Sequence, residues 1–73
     1  MEQTLGERLR AVRRRLGMSQ EELALRSGVT QEAIEVIESG KRRHMRSDHL
    51  ARLVKALGVS ADEVLGTTPE NGR

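Results

Sequence analysis

Apolar residues recur along the chain at helical spacing. Near the N-terminus they stand at steps of four, three and four, the repeat of one buried face of an α-helix: Leu5, Leu9, Val12 and Leu16. This pattern predicts a first helix over roughly residues 4–16. A later apolar face, in a helix expected to begin at Ser47 or Asp48, consists of Leu50, Leu53, Val54 and Leu57.

Three other segments begin with the same start signal. Ser19, Thr30 and Ser60 each place a hydroxyl where it can cap a helix, and acidic residues follow in the first turn, where the helix dipole favours them. Two of these hydroxyls also have glutamate at the spacing of a capping box, Glu22 after Ser19 and Glu63 after Ser60. The signals predict the second, third and fifth helices.

Glycines stand where the periodic segments end, and there a left-handed residue closes a helix: Gly17, Gly28, Gly40, Gly58 and Gly66. No segment alternates with a period of two residues. We therefore expect an all-α fold, a compact bundle of five short helices without a sheet. Residues 1–66 are predicted to form one domain, and residues 67–73, which lack periodicity, a disordered C-terminal tail.

Composition narrows the class of protein. A chain of 73 residues is near the size at which a core alone gives marginal stability, so a dimer is expected. It has no cysteine, which excludes disulfides and thiolate metal sites, and no aromatic residue with which to stack single-stranded bases. Apolar runs never exceed three residues, which excludes a membrane span. We expect a soluble, cytoplasmic protein.

The pattern offers no candidate catalytic or metal site. His44 and His49 are the only histidines, and their spacing without further ligands does not make a metal site. No nucleophile beside a base, glycine-rich phosphate loop or pair of buried carboxylates is evident. The chain is therefore predicted not to be an enzyme and to need no cofactor.

The segment that joins the second and third predicted helices has the spacing of a helix-turn-helix. Ala24 is small where a second helix crosses closely, and Gly28 lets the chain turn sharply. Ile34 and Ile37, three residues apart, face inward on the helix that follows. Together with the caps at both helix starts, these features indicate a helix-turn-helix rather than a generic helical hairpin.

The stretch "LGERLRAVRRRLGMSQEELALRSGVTQEAIEVIESGKRR", followed by "LVKALGVSADEVLG", resembles the Cro and phage-repressor (Xre-type) helix-turn-helix family. The resemblance covers roughly residues 5–66. It implies the five-helix bundle of phage-repressor DNA-binding domains, a dimer that binds DNA, and transcriptional control, with repression and activation both open. The resemblance weakens at residues 41–47, which lack the proline of many relatives and are a residue or so longer.

The resemblance also implies roles for individual residues. Gln20 would contact a phosphate, and Arg13 would form an internal salt bridge with Glu38. The residues that would face base edges are Gln31, Glu32, Ala33 and Glu35.

Acidic side chains on the predicted recognition helix are unexpected. At about 100° per residue, with Ile34 inward, Glu38 returns to the inner flank while Glu32 and Glu35 point outward. A glutamate can accept a hydrogen bond from cytosine in the major groove, and a glutamine can bind adenine. The alternatives are a solvated acidic face or one that meets a protein.

A basic run follows this helix without any acid: Lys41, Arg42, Arg43 and Arg46. It stands where phosphates would pass, and such contacts would give affinity without sequence information.

The last helix has more apolar surface than so small a core can cover. Val59, Val64 and Leu65 are therefore the candidate dimer interface. The leading hypothesis is a dimeric, sequence-specific transcriptional regulator that binds double-stranded DNA. The alternative is a helix-turn-helix protein-interaction module, antitoxin-like or an adaptor, whose acidic third helix binds a partner protein.

Overall fold

Five α-helices make up the part of the chain that the computed structural model describes, residues 3–41 and 44–66. They are α1 (Leu5–Arg15), α2 (Gln20–Ser27), α3 (Gln31–Glu38), α4 (Ser47–Leu57) and α5 (Ala61–Leu65). Within those ranges no strand is present, and the predicted all-α bundle is confirmed. Arg42, Arg43 and the tail predicted over 67–73 lie outside the described residues.

All five helices contribute to one hydrophobic core. Helix α1 packs on α3 and α5, while α2 packs on α3 and α4. Buried apolar side chains from each helix, and one from the turn between α2 and α3, meet in the centre: Leu9, Val12, Leu23, Val29, Ile34, Ile37, Leu53, Leu57 and Val64. The helix-turn-helix is thus supported by α1 against α3 and by α4 against α2, which leaves one face of α3 uncovered.

The helix starts agree with the predicted caps more closely than with the predicted capping boxes. The hydroxyls of Ser19 and Thr30 accept hydrogen bonds from backbone amides at the third helical position. Ser60 makes no side-chain cap, and the Glu63 carboxylate binds Arg15 instead, at 3.0 Å. Glu22 likewise binds Arg26, 2.8 Å away, rather than closing the box on Ser19.

A complete capping box begins α1. The Thr4 hydroxyl accepts from the Glu7 amide at 3.1 Å, and the Glu7 carboxylate accepts from the Thr4 amide at 2.9 Å. Two orphan amides of the first turn are satisfied in this way.

The predicted inner face of α1 is correct except at its end. Leu16 is 43 % exposed, because α1 ends at Arg15 and Leu16 is its C-cap residue outside the helical turn. The five glycines predicted as stop signals all have positive φ. At Gly28, where φ is 77°, this left-handed conformation makes the sharp turn between α2 and α3.

Candidate nucleic-acid interface

Helices α2 and α3 pack together through buried apolar side chains on their inner sides. Leu23 of α2 and Ile34 of α3 are completely buried, and Val29 between them is 2 % exposed. The Val29 amide donates to the Ser27 hydroxyl at 3.1 Å, so the turn has a partner for this buried backbone group. The inner face of α3 is consequently committed to the core.

The outer face of α3 is open. Gln31, Glu32 and Glu35 are exposed, and their side chains have no hydrogen bond or ion pair with any other described residue. Ala33, the fourth residue that the resemblance placed at base edges, packs partly against the core and offers less surface. Two carboxylates and one amide are therefore presented side by side to the solvent.

A buried ion pair connects α1 to α3. Arg13 donates from Nε to Glu38 Oε2 at 2.7 Å and from Nη2 to Oε1 at 2.9 Å, a two-pronged contact. The hydrogen bond with Glu38 raises the pKa of Arg13 above its ordinary value. Its Nη1 also donates to the Met18 carbonyl at 2.7 Å.

Gln20, at the start of α2, belongs to the same network. Its Nε2 donates to Glu38 Oε1 at 3.1 Å, so one of its two amide hydrogens is used inside the protein. The partly buried Gln20 side chain is thereby held at the junction of α1, α2 and α3. Its second amide hydrogen has no partner among the described residues.

Close approach of α1 to α3 depends on a glycine that sequence reasoning did not single out. Gly6 is buried, and a Cβ built on it would overlap the carbonyl oxygen of Ile37. The two backbones are therefore in contact near the C-terminal end of α3. The sequence does not show that Gly6 lies at a helix crossing, because a glycine within a helical segment indicates by itself only a lower helix propensity.

The crossing brings two exposed arginines of α1 beside α3. Arg10 and Arg14 line an open groove of about 380 Å³ that Glu35 and Gln20 also line. The sequence analysis assigned these two arginines no role. Their spacing of four residues was the available signal, since it puts both on one helix face.

The basic segment after α3 is only partly within the described residues. Lys41 is exposed, and Arg46 is exposed but pairs with Asp48 at 3.1 Å. Phosphate binding by Lys41, Arg42, Arg43 and Arg46 stays a prediction. At Arg46, the Asp48 carboxylate would compete with a phosphate for the guanidinium.

Comparison with known proteins agrees with this arrangement of helices. A family model described as "Helix-turn-helix" matches residues 9–64, which is most of the chain. The chain belongs to this helix-turn-helix family. Its family and its fold are those of DNA-binding transcriptional regulators rather than enzymes.

One member of the helix-turn-helix family is similar to this chain over nearly its full length. The "Uncharacterized HTH-type transcriptional regulator y4dJ" of Sinorhizobium fredii (strain NBRC 101917 / NGR234) is 37 % identical over 70 residues, which cover 96 % of this chain and 90 % of that protein. Its description as an HTH-type transcriptional regulator agrees with the family assignment.

Two solved structures share the fold. The restriction-modification controller protein C.AhdI of Aeromonas hydrophila superposes with a TM-score of 0.77 and 33 % identity, over 84 % of this chain and 91 % of the other. The P22 c2 repressor, solved in complex with a synthetic operator, gives a TM-score of 0.79 and 34 % identity, over 92 % and 100 % of the two chains.

One residue of the predicted dimer interface is placed elsewhere. Val64 is completely buried in the core, because α5 turns this side chain toward α1 and α4, so it has no surface to offer a partner. Leu65 is 39 % exposed and Val59 is partly buried. Of the three residues predicted for the dimer interface, Val59 and Leu65 keep some exposed surface.

Among residues 3–41 and 44–66, no helix is long and apolar enough to cross a membrane. No group of three or more histidine, cysteine, aspartate or glutamate residues in that part of the chain could hold a metal ion.

Proposed function

We propose that the protein is a dimeric, sequence-specific regulator of transcription that places α3 in the major groove of double-stranded DNA. The uncovered outer face of α3 carries this proposal, because its polar side chains have no partners inside the described protein while its inner face is locked. The P22 c2 repressor, which shares the fold, was solved on an operator and supports the same mode of binding.

Individual residues then take distinct roles. Gln31 has the two-pronged amide that pairs with adenine, and Glu32 or Glu35 can accept from the amino group of cytosine. Gln20 contacts a phosphate with its second amide hydrogen. The phosphates beyond α3 are bound by the basic segment of Lys41, Arg42, Arg43 and Arg46, which supplies affinity and register.

Residues 1–66 act as the DNA-binding domain, and the protein works in the cytoplasm as a dimer. Val59 and Leu65 lie at the C-terminal end of the domain, where their partly exposed apolar side chains are suited to a two-fold contact. Two recognition helices would then meet half-sites about 34 Å apart on one face of the duplex.

A second candidate is a protein-interaction module, and the unpaired acids of α3 favour it. Glu32 and Glu35 repel phosphates, whereas a basic surface of a partner protein would attract them. On this view α3 would bind that partner, as in an antitoxin-like or adaptor helix-turn-helix.

Selection of bound duplexes from a random pool separates the two candidates. A sequence-specific regulator enriches a defined motif with two half-sites, and gel shifts at fixed salt then show tighter binding to that motif than to random duplexes. Enrichment of no motif, with equally weak binding to every duplex, would contradict sequence-specific regulation and favour the protein-binding role.

A further inference from the structure

The groove between α1 and α3 is lined by three arginines and two glutamates, so its net charge is positive. Its lining residues are Arg10, Arg13, Arg14, Gln20, Glu35, Glu38 and Ser39. Arg13 and Glu38 neutralise each other in the buried ion pair. Arg10 and Arg14, both exposed and without an ion pair to any described residue, therefore face the single carboxylate of Glu35.

The walls of this groove are held in place. Gly6 of α1 contacts the Ile37 backbone of α3, and the buried Arg13–Glu38 pair joins the same two helices. Arg10 and Arg14 stand one helical turn apart on the wall that α1 contributes. A ligand thus meets two cations from adjacent turns of one helix, beside Gln20.

We propose that Arg10 and Arg14 bind the phosphodiester backbone of the DNA strand that runs beside α3. This inference rests on the proposed function and adds a phosphate site outside the basic segment that follows α3. The groove opens beside the outer face of α3, so backbone phosphates next to the major groove lie within reach of long arginine side chains. It also explains how an acidic recognition helix stays near phosphates, because the cations of α1 offset the repulsion by Glu35.

The test compares substitutions that remove one positive charge each at different places. Log affinity falls as log salt rises, and Arg10→Gln and Arg14→Gln should each make this fall less steep by about 0.9. Each should also weaken binding similarly on every duplex. Lys55→Gln is the control, because Lys55 is exposed on α4 and does not line the groove. Its slope should equal that of the unsubstituted protein. Arg10→Lys, which keeps the charge, should retain the slope.

Three results would overturn the proposal. Slopes for both arginine variants equal to that of Lys55→Gln would show that neither residue meets a phosphate. Altered base preference with an unchanged slope would show that the arginines act by orienting Glu35. If the unsubstituted protein binds no duplex at any salt concentration, the proposed function itself fails. Thermal unfolding of each variant serves as the check on folding. If one glutamine variant unfolds, the other carries the test, because Arg10 and Arg14 are both exposed.

Discussion

At the scale of single residues, Glu32 and Glu35 differ in their surroundings although both are exposed on α3. Glu35 lines the groove with Arg10 and Arg14, whereas Glu32 does not. The charge of Glu35 is thus partly compensated by α1, and that of Glu32 is not. On the proposed function, Glu32 therefore needs a hydrogen bond from a base more than Glu35 does.

Replacement of Glu32 or Glu35 by alanine should reduce discrimination at one base pair, expected to be C·G, by about 1 to 3 kcal/mol. Binding to random DNA should stay level or strengthen, because a repulsive charge is removed. The measurement is affinity for a selected duplex, its single-base variants and random DNA at one salt concentration. Uniform improvement on all of them would rule out base reading by these residues.

The burial of the Arg13–Glu38 ion pair leads to a prediction about the stability of the fold. Glu38→Ala should lower the free energy of unfolding by about 3 to 5 kcal/mol, because the guanidinium of Arg13 stays buried without its partner. Urea unfolding followed by circular dichroism measures this. The matched double variant, Arg13→Met with Glu38→Leu, should recover most of the loss, and a double variant as unstable as the single one would contradict the explanation.

How far these residues were predictable depends on what defines them. The resemblance supplied Arg13 and Glu38 as a pair, and helical angles placed Glu38 inward. The added donor from Gln20 and the groove of Arg10 and Arg14 were not predicted, because they depend on the distance between helices far apart in sequence.

At the scale of helices, the close crossing of α1 over α3 depends on Gly6. Gly6→Ala should lower the free energy of unfolding by about 1 to 3 kcal/mol, since the new methyl group meets the Ile37 carbonyl. The better helix propensity of alanine, worth about 1 kcal/mol, opposes this effect but is smaller. Urea unfolding is the measurement.

Ala11→Gly provides the control for Gly6→Ala, because Ala11 is exposed on the same helix. It should cost about 1 kcal/mol from propensity alone. A Gly6→Ala protein more stable than the unsubstituted one would show that propensity outweighs the contact.

Helix boundaries were largely predictable because their signals are local. Caps and glycines within a few residues of each end fixed where α2, α3 and α4 begin or stop. The predicted box at Ser60 failed because Glu63 pairs with Arg15, a residue 48 positions earlier. Local spacing carries no information about such a distant competitor.

At the scale of the whole molecule, the proposed dimer places Leu65 between the two copies. Leu65→Asp should weaken the dimer without unfolding the domain, since Leu65 is 39 % exposed. The matched control is Leu25→Asp, because Leu25 is 82 % exposed and lies on α2. Sedimentation with and without a two-half-site duplex is the measurement. Only monomer at high concentration in both conditions, even for the unsubstituted protein, would refute the dimer.

On the proposed function, one face of α3 stabilises the fold and the opposite face recognises DNA. Ile34, Ile37 and Glu38 are buried on one side, while the side chains of Gln31, Glu32 and Glu35 on the other make no hydrogen bond or ion pair with a described residue. On the proposed function, changes on the outer face cost little folding energy, because surface substitutions usually stay within about 0.5 kcal/mol. Such a protein can exchange one operator for another during evolution by a few substitutions, without first acquiring compensating changes in its core.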